Sequence, residues 1–574
     1  MGVSLRSYAY ISASNCAEET RRPPYFGIGR RGLTKTAAAI VVIVIVIAAG
    51  AGIWYVTQTG VGPAPGAKLK DTIIIGTTDS VQTTIDPADA YDYFGINIIQ
   101  NVGDGLVDYI PGTTQYAPAL ATSWSVSSDG LTWTFNLREG VRFPDGTPFN
   151  ASVVKYSIDR QFAIDEPEGP FAGVGYDTII NRTVVTGPSQ VQFVLNSPFS
   201  AFLALVAFTP MYPVNPNVAS PSSIVNYTEG SVNVSNPNGL GPYMLTKWIR
   251  TAGKDVEMDL TANPYYWNAS GGYPKTKNVI IKFYSDHTSL LLALKNGEID
   301  VAYRQLEASD IISLQGNSNF RIWTGPGAFI QYLVFNTASP PFNNLLVRQA
   351  LAAAVNRSLI TQGVFQGQAD PLYSMVPAGM FSHTDAFKDK YGEANITLAK
   401  QLLQQAGYSA TNKLTFTLTY PTQHYSATDG IAAALEQAFE ATGMVSVQLA
   451  SQPWPNYKES TRADQLQAYI YGWYPDFVDP YDYLYPFLPA DGVGFLHTHF
   501  IDSQINSWLQ QVTGISDASQ QAAIYTQLQT RLADQAPLVP LFQGTTIAVS
   551  NTKVSGIVLD ATVIFRYYLI QVAA

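Results

Sequence analysis

Residues Ser128 to Phe149 read SDGLTWTFNLREGVRFPDGTPF, with two turn dipeptides, Asp129-Gly130 and Asp145-Gly146. Asp followed by Gly tolerates the left-handed backbone that reverses a strand within two residues. Between the turns, Leu131, Trp133, Phe135 and Leu137 alternate with Thr132, Thr134 and Asn136. That period of two is the mark of a strand with one buried face. The stretch is read as a β-hairpin. Outward from it, Thr72 to Thr77 (TIIIGT) and Val191 to Leu195 (VQFVL) are further short strands, bounded by Gly, Pro, Asn or Ser. Helical patterns interleave with them. Ser289 to Asn296 stops at Gly297, a C-cap, and Ile299 to Val301 follows as a strand, the alternation of an α/β layer. Leu346 to Ile360 repeats Val347, Leu351 and Val355 every fourth residue, and Leu398, Leu402 and Ala406 do the same before Gly407, each giving one apolar helix face. The fold class is mixed α/β.

The chain has 574 residues, 46% of them hydrophobic, enough for two or more packed lobes. Asp and Glu number 43 against 33 Lys and Arg, a net charge of −10. No basic stripe follows the first 35 residues, so phosphate backbones find no long-range attraction and nucleic acid is not a partner. Charged residues make up only 13% of the chain, so solubility rests on uncharged polar groups, a composition suited to an acidic exterior. The single cysteine, Cys16, precedes the apolar run at 37–56. The folded part therefore has no disulfide and no catalytic thiol, and a lipobox Cys, which would follow such a run, is absent.

Ala37 to Val56 is an uncharged run of 20 apolar residues, long enough to span a hydrocarbon core of about 30 Å. Arg21, Arg22, Arg30, Arg31 and Lys35 precede it, which keeps the N-terminus cytoplasmic and sends everything after Val56 outside. Residues 1–36 are read as a cytoplasmic or signal segment, 37–56 as a transmembrane anchor, and the Gly- and Pro-rich 57–70 as a flexible tether. Arg30 to Thr36 is similar to the pilin-like signal peptides of archaeal sugar- and peptide-binding proteins, which implies cleavage after Gly32. Sequons at Asn150, Asn181, Asn226, Asn233, Asn268, Asn356 and Asn395 all follow the run. All except Asn356, which sits inside a helical pattern, are candidates for glycosylation of an extracellular domain.

Several short motifs then recur in a familiar order: Ile85-Asp86-Pro87, Ala117 to Trp124, the hairpin itself, Gly239-Leu240-Gly241-Pro242-Tyr243, Asn263 to Trp267, Gly297-Glu298-Ile299-Asp300, Val347 to Ala350, Ala354 to Arg357, Ala399 to Tyr408, and Gly472 to Pro480. Together they resemble the peptide/nickel-binding class, family 5, of ABC-importer solute-binding proteins. Leu240 and Asn356 depart from that pattern. The resemblance runs from about residue 72 to about 545. It implies a two-lobed clam of the periplasmic-binding-protein kind (type II, cluster C), with lobe I at 71–325, lobe II at 326–545 and a return to lobe I over 546–574. Ligand would lie between the lobes, closure would be read by permease subunits with their ATPases, and neither cofactor nor catalysis is implied. In peptide-binding members an acidic residue of the G-W-x-x-D segment holds the peptide α-ammonium. Asp476 matches it, with Trp473 beside it as pocket wall. Trp454, Tyr471 and Tyr474 complete an aromatic supply equally suited to sugar rings, so oligopeptides or dipeptides and oligosaccharides both stand as ligands at this point.

Two other classes would leave different marks. A hydrolase would carry G-x-S-x-G, H-E-x-x-H or a P-loop, and none of these occurs. A surface structural protein would suit the anchor and the sequons but would not require the ordered motifs. His497 and His499 are the only neighbouring histidines. On a strand they would share a face, but no third ligand stands near them in sequence, and they are read as a polar loop after Gly494 with no metal.

Overall fold

The computed structural model describes residues 68–225 and 239–574, apart from positions 305, 423, 426, 495 and 516. The apolar run at 37–56, Asn226 and Asn233 lie outside the described residues. Among the described residues no helix is long and apolar enough to cross a membrane.

The chain opens on β1 (Thr72–Thr77), then forms a small ribbon of β2 (Val107–Tyr109) and β3 (Tyr116–Pro118). β4 (Ala121–Val126), β5 (Thr132–Leu137), β6 (Ile180–Gly187) and β7 (Gln190–Leu195) build a separate antiparallel sheet in the order β4-β5-β7-β6. β8 (Tyr243–Thr251), β9 (Lys254–Ala262), β10 (Asn278–Phe283) and β11 (Val301–Tyr303) return to β1. The long β12 (Phe320–Phe335) leads to β13 (Ala369–Pro371), β14 (Leu414–Thr422), β15 (Val445–Pro453), β16 (Ala468–Trp473) and finally β17 (Leu538–Asn551). These join β1 in one mixed eleven-stranded sheet, ordered β15-β14-β16-β12-β17-β11-β1-β10-β9-β8 with β13 against β17.

The hairpin is present where Asp129-Gly130 turns β4 into β5: Gly130 has φ +73° and its N–H donates to the Ser127 carbonyl. The second dipeptide makes only a tight loop closed by one bridge between Arg142 and Pro148. β1 begins and ends where the apolar pattern does, and the helix His287–Asn296 stops at Gly297 in the left-handed conformation. The helical pattern over 346–360 breaks. The helix ends at Ala354, and a separate turn, Leu359–Val364, follows. Between them Arg357, 1% exposed, donates to the carbonyls of Leu372 and Pro540, and this buried guanidinium bends the chain out of the helix. The strand expected at Ile299 starts two residues later, because Asp300 instead accepts the Ile74 N–H and the Asn551 amide.

Several of the family-like motifs are explained by such scaffold contacts. Asp86 and Arg160 form a bidentate pair at 2.9 and 2.5 Å with both side chains 1% exposed, so Ile85-Asp86-Pro87 marks a buried charge anchor. Asn263 donates to the carbonyls of Gly239 and Gly241, and Arg348 donates to those of Phe342 and Gln535.

Two lobes meet at β12 and β17, the strands that run through both. Their pairing is regular from Phe320↔Asn551 to Pro326↔Thr545, is interrupted, and resumes from Ile330↔Gln543 to Val334↔Leu538. Hydrophobic clusters separate on either side of this break. One group gathers β1, β8–β11 and the four-stranded sheet, and the other gathers β14–β16 with the helices around them. At the break the backbones nearly touch: a Cβ on Gly327 would stand 2.1 Å from the Gly544 carbonyl oxygen. Gly327→Ala is therefore expected to lower stability by about 1–3 kcal/mol through overpacking. Gly363→Ala, where a Cβ meets nothing within 4 Å, should be nearly neutral. Urea unfolding of the two variants checks the pair.

Candidate functional site

A cleft of ≈ 860 Å³ opens beside this break, lined from one side by Thr78, Arg304 and Ser309 and from the other by Phe329, Tyr425 and Tyr474. Position and lining follow from topology. β16 lies next to β12 and ends at Trp473, so the next residue, Tyr474, emerges into the cleft.

The segment after β16 crosses to the opposite lobe. Phe477 drops into the core of the four-stranded sheet, and the Tyr91 hydroxyl donates to Asp476 Oδ1 at 2.6 Å. Tyr474, 46% exposed, is a cleft wall: its ring lies 4.6 Å from that of Phe329, and its hydroxyl accepts from Arg304 Nη2 at 3.4 Å. Arg304 sits 3.6 Å over the Tyr93 ring and pairs with Asp79 at 3.4 Å, so this guanidinium is held by an aromatic face and a carboxylate together.

Trp473, Tyr474 and Asp476 thus share one turn, but only Tyr474 lines the cleft: the Trp473 ring, expected as a pocket wall, packs against Phe487 instead, and Asp476 lies just beyond the lining. The residue that shapes the turn is Asp482. Its Oδ2 accepts both the Trp473 indole N–H at 3.0 Å and the Asp476 backbone N–H at 3.1 Å, and it is 2% exposed. Sequence reasoning missed it. The only available signal was its place three residues past Asp479 in an acidic, Tyr-rich stretch, where capping a 3₁₀ turn is the ordinary role. Trp454 and Tyr471 lie elsewhere. Tyr471 is 2% exposed because β16 is central in the sheet, and its ring packs on Trp454 and Tyr457. Trp454 stacks 3.6 Å from the His424 ring, and neither it nor Tyr471 lines the cleft. Trp454 packs edge-on, 5.7 Å away, against Tyr425, which lines the cleft and donates to the Gly472 carbonyl.

The electrostatics of the turn are those of desolvated carboxylates. Burial pushes Asp476 up to about 6, against the opposing hydrogen bond from Tyr91, and pushes Asp479 up to about 6 likewise. Asp482 is driven well above the usual carboxylate range by burial and then by the Asp476 charge. Among the described residues no Lys, Arg or His lies within ion-pair distance of Asp476. Across the cleft rim, burial and the Lys458 charge lower His424 to about 4, keeping its imidazole neutral at ordinary pH.

Of the sequon residues in the described part, Asn181 is exposed, while Asn150, Asn268 and Asn395 are half-buried at the surface. The polar loop carrying His497 and His499 is completed by a carboxylate, Asp464, which lies more than thirty residues away in sequence and was therefore invisible there.

Comparison with known proteins adds the following. Residues 115–495 match the model of the bacterial extracellular solute-binding proteins, family 5. The chain is 27% identical over 479 residues to heme-binding protein A of Haemophilus influenzae, covering 80% of this chain and 84% of that one. It is also 27% identical to a dipeptide-binding protein of Pseudomonas aeruginosa, covering 79% and 85%. The unliganded open form of MppA, a periplasmic murein tripeptide binding protein, superposes with a TM-score of 0.73 at 23% identity over 88% of this chain and 99% of that one. The family match spans about two-thirds of the chain, and with it the chain belongs to the family 5 extracellular solute-binding proteins.

Proposed function

We propose that this protein captures oligopeptides or dipeptides with a free N-terminus between its lobes and hands them to the permease of an ABC importer. The observation that carries this is Asp476: a half-buried carboxylate two residues beyond Tyr474 of the cleft wall, outside the lining itself, destabilised by burial and without a cation among the described residues. Such a group gains most from a ligand that brings its own positive charge. A peptide α-ammonium does so, whereas a neutral sugar does not. The oligosaccharide reading loses support because Trp454 and Tyr471, two of the flat faces it would use, are packed behind the wall.

The rest of the reading follows the family. The break between Pro326 and Ile330, opposite Gln543 to Thr545, acts as hinge between lobe I (71–325 with 546–574) and lobe II (326–545), and ligand contacts to both sides favour the closed state. Residues 37–56 anchor the protein, with a pilin-like leader of the archaeal type ahead of them and the binding domain outside the cell, where Asn150, Asn181, Asn268 and Asn395 carry glycans. No bond is made or broken in the cycle.

The test is thermal unfolding against short peptides, oligosaccharides and haem. A ligand at 100 times its dissociation constant adds about 2.7 kcal/mol. Stabilisation by peptides supports the reading, and stabilisation by sugars or haem alone contradicts it. The pH dependence gives a second check. Asp476 must be ionised to hold an ammonium, so below about pH 6 peptide affinity should fall about tenfold per pH unit. The unliganded protein should move the other way. A carboxyl whose folded pKa exceeds its unfolded one binds more protons when folded, so its contribution to stability grows as pH falls through about 6 and is lost as pH rises. Asp476→Asn should remove both trends at that site, read by calorimetric titration and unfolding at several pH values.

A further inference from the structure

Away from the cleft, Asp464, His497 and His499 bring one carboxylate and two imidazoles together, with donor atoms all within 4.8 Å of one another. Asp464 Oδ1 receives His497 Nδ1 at 3.2 Å and His499 Nε2 at 2.7 Å, and the two rings stand at 79° to each other. A tetrahedral ion with bonds of about 2.0–2.1 Å sets its ligands about 3.3 Å apart, so small outward shifts of these atoms would seat one. We infer that this cluster is a binding site for a divalent transition metal of the zinc or nickel class, the ions suited to imidazole and carboxylate together.

The surrounding backbone holds the donors in place. Thr498, between the two histidines, is 1% exposed, and its carbonyl accepts both the N–H of Thr337 at 2.8 Å and its hydroxyl at 2.9 Å. The preceding Leu496 carbonyl accepts the buried Tyr469 hydroxyl. With Thr498 fastened inward, the flanking side chains are directed to the surface. All three donor residues adopt left-handed backbone, with φ +56° at Asp464, +52° at His497 and +54° at His499, a conformation uncommon for residues other than glycine. The side chains keep 45%, 17% and 26% exposure in that order, so the fourth coordination position faces water, as in three-ligand sites that stay open. A bound ion would tie the turn after the helix Trp454–Arg462 to the 496–500 loop, a crosslink within the lobe that carries Asp476.

The test is calorimetric titration of the full chain, without a polyhistidine tag, with zinc chloride and nickel chloride, using magnesium as the oxygen-preferring control. One zinc per chain, with a rise in unfolding temperature and no response to magnesium, is the expected result. The double variant His497→Ala/His499→Ala should lose both effects, and Asp464→Asn should weaken them. Should the double variant fold poorly, His499→Gln, which keeps a polar side chain, serves in its place, and cobalt absorption reports tetrahedral coordination directly in the parent protein. Absence of zinc binding at micromolar concentration, or undiminished binding after the histidines are replaced, would overturn the inference.

Discussion

Asp476→Asn is expected to weaken binding of peptides with a free N-terminus by about 2–5 kcal/mol, roughly 30-fold to several thousandfold in Kd. The size follows from what the substitution leaves behind. The Tyr91 hydroxyl, now 2.6 Å from Oδ1, can still donate to an amide oxygen, and the backbone N–H of residue 476 still reaches Asp482. The turn is therefore retained while the ammonium loses its counter-charge inside a desolvated site. Because Asp476 itself resists ionisation in the empty protein, the variant without ligand should be at least as stable as the parent at pH 7. Lower affinity with undiminished stability separates a ligand-binding role from a turn-capping one, since loss of a cap would lower stability instead. Calorimetric titration and thermal unfolding of both proteins give the two numbers.

The second large effect concerns the scaffold. Asp86→Ala should destabilise the protein by about 3–5 kcal/mol, because it strands a buried guanidinium. Arg160 would keep the carbonyls of Ser220 and Ser223 but lose both carboxylate oxygens, and the N–H groups of Ala88 and Val225 would lose their acceptor. Replacing both partners, as in Asp86→Leu/Arg160→Met, removes the stranded charge and should recover part of the loss. Neither residue lines the cleft, so peptide affinity measured on the surviving folded protein should change little. Urea unfolding midpoints of the single and double variants decide the matter.

Local patterns made much of the fold legible. The Asp129-Gly130 turn, the apolar alternation of β5 and the Gly297 stop are set by neighbours in sequence, and these appear where the residues placed them. Misreadings occurred where a distant partner took precedence. Arg357 leaves its helix for carbonyls at Leu372 and Pro540, and the strand at Ile299 is delayed by what Asp300 accepts from Ile74 and Asn551. The site was legible only in part for the same reason. The Gly472–Pro480 segment marks the cleft-side turn, but residue type alone cannot distinguish Tyr474, a wall, from Tyr471, two strand positions away from the cleft mouth and buried in a central strand. Asp482, Tyr91 and Arg304 carry no local signature, since their meaning lies in contacts with residues tens to hundreds of positions away. Several motifs that signal the family, such as those of Asp86, Asn263 and Arg348, hold the frame, so family membership is easier to read from sequence than ligand identity.

The account turns on whether Asp476 faces a ligand ammonium. The most direct measurement is calorimetric titration of the full chain with matched peptides that differ only in a free or an acetylated N-terminus. Binding of the free peptide, with the acetylated one weaker by a margin comparable to that of Asp476→Asn, is the result expected here. Equal affinity for the two forms, or response to oligosaccharide alone, would contradict it.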